Sequence, residues 1–282
     1  MKHILLFFAL TFLGIASIHA QNDTLRVLSV ANSFGVDAVE QNLHEIALAD
    51  SHVLIIGNLY IGGCSLERHY NNAVSGEKAY SYRKISADGT FTTTENASLP
   101  QAFADEPWDV VVFQQVSQYS GKVETYEPYL GKLLQYATQH SPNGVRLYLH
   151  QTWAYSKDST HPNFPDYNCN QELMYRELCK AYKSMADKYH LGVIPSGTAI
   201  QNARKTYLGD TLTRDGFHLS YGLGRYLAAA TYYAALYQTK VSGNGWMPPQ
   251  LDPREVETAR RCADAAVRKP FATSCMCRDY RR

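Results

Sequence analysis

The stretch that decides the fold reads LRVLSVANSFG and occupies residues 25–35. Residues 25–31 are mostly apolar and predict a first strand. The polar residues Asn32 and Ser33 then break the apolar run and predict a sharp turn. Apolar residues recur with a helical period over residues 36–50, so a helix is expected to follow the turn. The order strand, turn, helix is typical of the first unit of an α/β domain.

Four further apolar segments predict strands, and helical patterns separate them. These strands lie at residues 53–61, 109–113, 145–149 and 192–195, and the main later helices at 126–140, 172–189 and 223–237. Strands that alternate with helices predict a three-layer α/β/α sandwich around a mostly parallel, five-stranded sheet. Residues 80–94 predict a short hairpin outside that sheet, and residues 252–267 predict a capping helix.

Three clusters of small or polar residues follow successive predicted strands. They are the Ser33 turn, the pair Gly62-Gly63, and the pair Gln114-Gln115. Because the carboxyl ends of parallel strands share one edge of a sheet, all three clusters are expected at that edge, where α/β proteins bind ligands. Paired glycines alone are more typical of an ordinary turn than of a functional loop.

A carboxylate and an imidazole stand three residues apart in TRDGFHLS, residues 213–220. In a tight turn Asp215 can reach back to His218, fix its tautomer and stabilise the imidazolium formed during proton transfer. Alternatively, Asp215 caps the following helix. Ser33 on a strand-to-helix turn, where acyl-transfer enzymes often present their nucleophile, favours the catalytic interpretation.

Composition excludes several classes of function. The net charge of +1 comes with no basic patch, and no segment after residue 20 is apolar enough for a membrane span, so a small or neutral ligand is expected rather than nucleic acid or a membrane. The 21 Tyr and three Trp suit sugar binding, and equally any rigid secreted protein. The six cysteines lack zinc-ligand spacing, so neither a metal nor another cofactor is expected, and disulfides or free thiols both remain open. The oligomeric state is left open.

The first 20 residues have the pattern of a secretory signal peptide. A basic start at Lys2 precedes an apolar run over residues 4–15 and a small residue, Ala20, at the expected cleavage point. The chain is therefore divided into a signal peptide at 1–20, a single α/β domain at 21–240, and a capping helix with a tail at 241–282. The mature protein is expected in the periplasm or outside the cell.

The motifs together resemble those of the SGNH hydrolase superfamily, the GDSL-like esterases, over residues 25–237. Asn32-Ser33-Phe34 stands where that family places its nucleophile, and Asp215 and His218 match its Asp-x-x-His block. The resemblance is to an exported bacterial branch, because Ala31-Asn32 replaces the usual Gly-Asp before the serine. Gln114-Gln115 stands where the family usually has an Asn.

The resemblance implies roles for individual residues. Ser33 is expected to be the nucleophile, His218 the base and Asp215 its partner. Backbone N–H groups of Ser33 and Gly63 and the Gln114 amide are expected to form the oxyanion hole, with Gly62 and Gln115 as alternates. His69, His150 and Trp153 are expected to bind substrate, although core positions are common for these residue types.

The function that follows is an exported serine esterase that removes small acyl groups, above all acetyl, from a carbohydrate. Two alternatives stay open: a non-catalytic carbohydrate-binding protein that retains the fold, and a lipase or thioesterase. The triad residues argue against the first alternative. Polar loop residues at Asn58, Asn71 and Asn72 argue against a long apolar cleft.

Processing of the amino terminus is directly testable. We expect exported protein to begin near Gln21, because signal peptidase cleaves after a small residue that follows the apolar run. Amino-terminal sequencing of protein from the extracellular or periplasmic fraction measures this. Exported protein that still begins at Met1 would contradict the prediction.

Overall fold

A computed structural model describes residues 24–275 of the chain. The predicted signal peptide at residues 1–20 and Cys277 lie outside the described residues. Seven strands form one sheet in the order β4-β3-β2-β1-β5-β6-β7. The strands are β1 (Leu25–Ala31), β2 (Leu54–Tyr60), β3 (Tyr80–Ile85), β4 (Phe91–Ala97), β5 (Val110–Phe113), β6 (Arg146–His150) and β7 (Gly192–Ile194).

The prediction of a mostly parallel sheet is confirmed, but the sheet has seven strands rather than five. β2, β1, β5, β6 and β7 run parallel, as the alternation of strands and helices predicts. The predicted hairpin is not an excursion: β3 pairs antiparallel with β2, and β4 pairs with β3. Tyr80 and Tyr82 explain this, because both are buried on one face of β3 and extend the apolar face of the sheet.

Nine α-helices cover the described sheet. They are α1 (Ser33–Val39), α2 (Leu43–Ala49), α3 (Leu66–Ser75), α4 (Leu99–Asp105), α5 (Tyr129–His140), α6 (Gln171–Tyr189), α7 (Ser196–Arg204), α8 (Leu223–Tyr237) and α9 (Pro253–Arg268). α8 packs against α1, α2, α7 and α9, whereas α3 packs with α4 and α5. The chain crosses the sheet in one direction from β1 to β2 and in the other direction from β5 to β7. Because the crossovers are right-handed, the helices around α8 and the helices around α3 lie on opposite faces of the sheet.

α8 is buried almost all round because it lies between the sheet and α9. Its residues from Leu223 to Leu236 are all buried. The run Ala228, Ala229 and Ala230 has no exposed surface, and these small side chains let neighbouring elements approach closely. α9 therefore packs on α7 and α8 as part of the same core. None of the described helices is both long and apolar enough to cross a membrane.

β1 is the middle strand of the seven-stranded sheet, with β2 on one side and β5 on the other. The chain leaves β1 toward β2, but later strands are added beyond β5, so the strand order reverses at β1. Ligand sites in such sheets form outside the carboxyl ends of the strands at this reversal. The fold thus places the residues that follow Ala31 at the usual binding position.

Candidate active site

Ser33 is the first residue of α1, directly after the central strand. Asn32 forms the N-cap of the helix, with an extended backbone, and its side-chain oxygen accepts the Phe34 N–H at 3.1 Å. Gly35 lets α1 leave β1 at a sharp angle, because a Cβ at this position would lie 2.4 Å from the Ala31 Cβ. The turn therefore presents the Ser33 hydroxyl at the carboxyl edge of the sheet.

Three side chains from the two ends of the chain form one hydrogen-bonded row. The Ser33 Oγ lies 2.9 Å from His218 Nε2, and His218 Nδ1 lies 2.7 Å from Asp215 Oδ2. The Asp215 carboxylate accepts a hydrogen bond from the Nδ1–H of His218. The neutral His218 ring therefore carries its proton on Nδ1, and Nε2 is free to accept the Ser33 proton. Residues predicted from two short motifs are thus brought together with the spacing of a Ser–His–Asp triad.

The turn that carries Asp215 and His218 is closed by its own hydrogen bonds. Asp215 Oδ1 accepts the backbone N–H groups of Phe217 at 3.1 Å and His218 at 2.7 Å. Gly216 has φ +87°, and a Cβ there would lie 2.9 Å from the Ser159 Cα, so glycine is required twice over. Asp215 does not cap α8, whose N-cap is Gly222. The helix-cap alternative is therefore wrong.

Two opposing effects set the pKa of Asp215. Partial burial raises it, but hydrogen bonds from the His218 ring, the His218 N–H and the Phe217 N–H together outweigh burial and lower the pKa below its usual value. The carboxylate therefore stays ionised at neutral pH beside the imidazole. A charged Asp215 is what a hydrogen-bonded imidazolium requires.

The predicted backbone donors lie in the same cavity as the triad. Ser33, Gly62 and Gly63 line it together with His218. The first N–H groups of a helix have no partner within that helix, and within residues 24–275 no hydrogen bond is recorded for the N–H of Ser33 or Gly63. Both groups remain available to a ligand oxygen.

The two glutamines do not line the cavity. Gln114 donates to the Asn32 Oδ1 at 2.5 Å and contacts His150 Nδ1 at 2.8 Å through its Oε1. Gln115 Oε1 accepts the N–H of Leu66 at 3.1 Å. Each glutamine is 1% exposed, is held by protein partners and lies outside the cavity wall, so the structure contradicts the prediction of Gln114, or Gln115, as an oxyanion donor. Gln114 instead supports the N-cap of the Ser33 helix.

The three residues predicted to bind substrate are buried instead. His150 contacts Ser196 Oγ at 3.0 Å as well as Gln114, and burial lowers its pKa to about 3. His69 contacts the Tyr80 hydroxyl at 3.0 Å and has no exposed surface. Trp153 stacks on Phe34 at 4.1 Å and donates to the Phe217 carbonyl at 2.7 Å. All three stabilise the structure around the site, so the prediction of substrate contact is wrong.

Sequence reasoning missed the side chains that do surround the cavity. The cavity has a volume of about 250 Å³, and its wall also includes Tyr60, Val116, Ser117, Gln118, His161 and Phe217. Tyr60, Val116 and Ser117 end strands or follow them, so proximity to the strand ends could have found them. His161 lies in a long loop with no motif, and nothing in the sequence indicates its position.

A larger hollow of about 750 Å³ lies at the opposite, amino edge of the sheet. Arg26, Asp109 and Arg146, which begin or precede β1, β5 and β6, are in its wall. Its wall contains no Ser or His, whereas the smaller cavity contains Ser33 and His218. The smaller cavity is therefore the candidate active site, because its wall contains a hydroxyl group and an imidazole. Within residues 24–275 no group of His, Cys, Asp or Glu is arranged to hold a metal ion, and Cys64, Cys169, Cys179 and Cys262 are free thiols.

Asp37 joins the serine helix to the histidine turn. This residue of α1 has no exposed surface and lies four positions after Ser33. Its carboxylate accepts the Leu219 N–H at 2.8 Å and contacts the guanidinium groups of Arg214 at 3.0 Å and Arg225 at 2.7 Å. Arg214 and Leu219 flank the Asp215–His218 turn, and Arg225 belongs to α8. One buried carboxylate thus ties three elements together, and no sequence motif identified it.

The site and fold define a class of protein: an α/β chain with the fold of SGNH hydrolases and a Ser–His–Asp row at the sheet edge. A candidate SGNH hydrolase from Slackia heliotrinireducens has a TM-score of 0.51 at 20% identity, covering 76% of this chain and 100% of that one. A candidate GDSL-like lipase from Parabacteroides merdae has a TM-score of 0.51 at 16% identity, covering 75% and 94%. At these identities the likeness concerns the fold.

The chain belongs to the DUF4886 family, described as a domain of unknown function, which matches residues 26–266. A DUF4886 family protein from Bacteroides uniformis, solved by crystallography, is 42% identical and has a TM-score of 0.88, covering 89% of this chain and 98% of that one. The comparison with curated proteins gives no match.

Removal of the Asp37 carboxylate should destabilise the protein strongly. Asp37→Ala leaves Arg225 buried without its partner, and loss of one member of a buried pair typically costs about 3–5 kcal/mol of unfolding free energy. Urea unfolding of the variant measures this. Asp187→Ala is the matched control, because Asp187 pairs with Lys183 on the exposed face of α6 and should barely change stability. Equal stability of the two variants would contradict the prediction.

Proposed function

We propose that this protein is an exported serine esterase that hydrolyses small acyl esters, with acetyl groups on a carbohydrate as the favoured substrate. The observation that carries the proposal is the hydrogen bond of 2.9 Å between Ser33 Oγ and His218 Nε2, continued at 2.7 Å to Asp215. A hydroxyl, a base and an orienting carboxylate in one row are the elements of nucleophilic acyl transfer.

The proposed reaction proceeds through an acyl-enzyme. His218 Nε2 accepts the Ser33 proton as Oγ attacks the ester carbonyl, and the Asp215 carboxylate stabilises the imidazolium. The imidazolium then gives its proton to the departing alcohol. A water molecule, deprotonated by His218 in turn, releases the carboxylic acid and restores Ser33. The proton taken from Ser33 is thus given to the alcohol, and the proton taken from water is given back to Ser33 Oγ.

The N–H groups of Ser33 and Gly63 are the proposed oxyanion donors. Both residues line the cavity, and both groups lack a partner within residues 24–275. One such donor is typically worth about 3 kcal/mol in the transition state. Because neither glutamine lines the cavity, the backbone supplies this stabilisation.

The cavity favours a small, neutral ester. Its volume of about 250 Å³ equals roughly eight water molecules at about 30 Å³ each. That space accommodates a short acyl group with part of an alcohol, whereas a long acyl chain would leave little room for the alcohol. The residues that line it include no Lys, Arg, Asp or Glu. A neutral acetyl ester therefore fits better than a fatty acyl or a strongly charged substrate.

Further features support the proposals that the substrate is a carbohydrate ester and that the protein is exported. The aromatic residues Tyr60 and Phe217 line the cavity beside the polar residues Ser117, Gln118 and His161, a combination suited to a hydroxylated ring. The sequence of residues 1–20 supports export, which would bring the enzyme to extracellular polysaccharides.

Replacement of the proposed nucleophile tests the mechanism. Ser33→Ala should lower kcat on 4-nitrophenyl acetate by about a thousandfold or more, because acyl transfer loses its attacking atom. The variant should also resist labelling by a fluorophosphonate probe. Ser184→Ala, on the exposed face of α6, is the control and should keep full activity. If the wild-type protein neither turns over the ester nor takes the label, a sugar-binding protein without catalysis becomes the better interpretation.

A series of acyl chains tests the size of the acyl group. We expect kcat/KM to fall steeply from 4-nitrophenyl acetate to the butyrate and the octanoate, because a longer acyl chain would compete with the alcohol for the space of the cavity. Initial rates at matched enzyme concentrations measure the order. A preference for octanoate would contradict the proposal and favour a lipase or thioesterase.

A further inference from the structure

His161 projects from the loop after β6 into the cavity that contains Ser33 and His218. Its ring lies against Tyr155, with ring centroids 4.5 Å apart, and edge-on to Phe217 at 4.8 Å. Phe217 in turn contacts the His218 ring at 4.2 Å. The second histidine of the cavity is therefore held by aromatic packing beside the triad rather than inside it.

The tautomer of His161 follows from its backbone contact. The Asn163 N–H donates to His161 Nδ1 at 3.2 Å, so Nδ1 carries no proton and the neutral ring has its proton on Nε2. His161 Nε2 lies 3.4 Å from the Tyr155 hydroxyl, at the long limit of a hydrogen bond. The Tyr155 hydroxyl has a closer partner, Ser117 Oγ, at 2.9 Å. The Nε2–H is thus only weakly engaged by protein.

The His161 ring is neutral under physiological conditions. Partial burial lowers its pKa most, and the nearby His218 lowers it further, while Asp215 opposes both. A neutral ring with a free N–H donates well to a hydroxyl or ether oxygen. It gives no particular advantage to an anionic group, in keeping with the uncharged wall of the cavity.

We infer that His161 is a specificity-determining residue that donates from Nε2 to an oxygen on the alcohol part of the ester. This inference rests on the proposed function. The alcohol it selects is neutral and bears several hydroxyl or acyloxy groups, as a sugar does. Phe217 supplies an aromatic face for the C–H groups of the same ring, and Ser117 and Gln118 extend the polar wall.

Two variants of His161 separate this role from a structural one. His161→Asn can still accept the Asn163 N–H through an Asx turn, which keeps the loop contact and removes the ring. His161→Phe keeps the ring packing against Tyr155 and Phe217 and removes both nitrogens. The only change that the two variants share is the loss of the His161 Nε2–H. An effect that appears in both variants is therefore caused by the loss of this N–H group.

The experiment compares peracetylated xylose with 4-nitrophenyl acetate, whose alcohol has no hydroxyl or acyloxy groups. We expect both variants to lower kcat/KM on the sugar ester about five- to tenfold, mainly through KM, as expected for loss of one hydrogen bond. On 4-nitrophenyl acetate the loss should be clearly smaller, so that the ratio of kcat/KM on the sugar ester to kcat/KM on 4-nitrophenyl acetate falls in both variants. His140→Asn, at the exposed end of α5, is the control and should match wild type on both substrates.

The outcomes distinguish this inference from the proposed function. Fluorophosphonate labelling of Ser33 and turnover of 4-nitrophenyl acetate by the wild-type protein test the function alone. If those hold, equal losses on both substrates would show that His161 only supports the triad, and losses in just one variant would show a loop or packing role. Unchanged kinetics on the sugar ester would also overturn the inference.

Discussion

The buried carboxylate of Asp37 is the constraint on which the arrangement of the site depends. A charge removed from water must be compensated, and here two guanidinium groups and one backbone N–H do so. The partners come from the histidine turn and from α8, elements that are far from α1 in the sequence. The hydrogen bonds and ion pairs of Asp37 therefore fix the position of the His218 turn relative to Ser33. The Tyr221 ring lies 4.7 Å from each guanidinium carbon and covers the cluster.

A second polar network holds the strand ends beneath the site. It runs from Ser196 through His150 and Gln114 to Asn32, with contacts of 3.0, 2.8 and 2.5 Å, and Asn32 Nδ2 ends it at the Cys64 carbonyl. Each member satisfies its neighbour, so buried polar groups that would otherwise be costly give the Ser33 turn a single conformation. Polar residues at strand ends here support the reactive residues without contacting the cavity.

The sequence alone determined the α/β class and the parallel strands, and it predicted the three residues that the structure brings into one hydrogen-bonded row. The periods of apolar residues identify strands and helices directly, and Asp215 and His218 are close enough in the chain for a local turn to join them. The place of Ser33 followed from the rule that turns after parallel strands gather at one edge. These features depend on local pattern and on topology, both of which a sequence carries.

Only the tertiary structure decided which polar residues face the cavity. Gln114, His150 and Trp153 stand at strand ends like Ser117 does, yet they are buried and Ser117 lines the cavity, because side-chain direction there depends on partners distant in sequence. The same reason hid Asp37, whose partners lie 177 to 188 residues away, and His161, whose loop has no periodic pattern. It also hid the pairing of the hairpin with β2, since an edge strand is selected by the open edge of a sheet. The local sequence pattern determines which strands and helices form. Hydrogen bonds between buried polar groups that are distant in the sequence determine which side chains at the ends of those elements face the cavity.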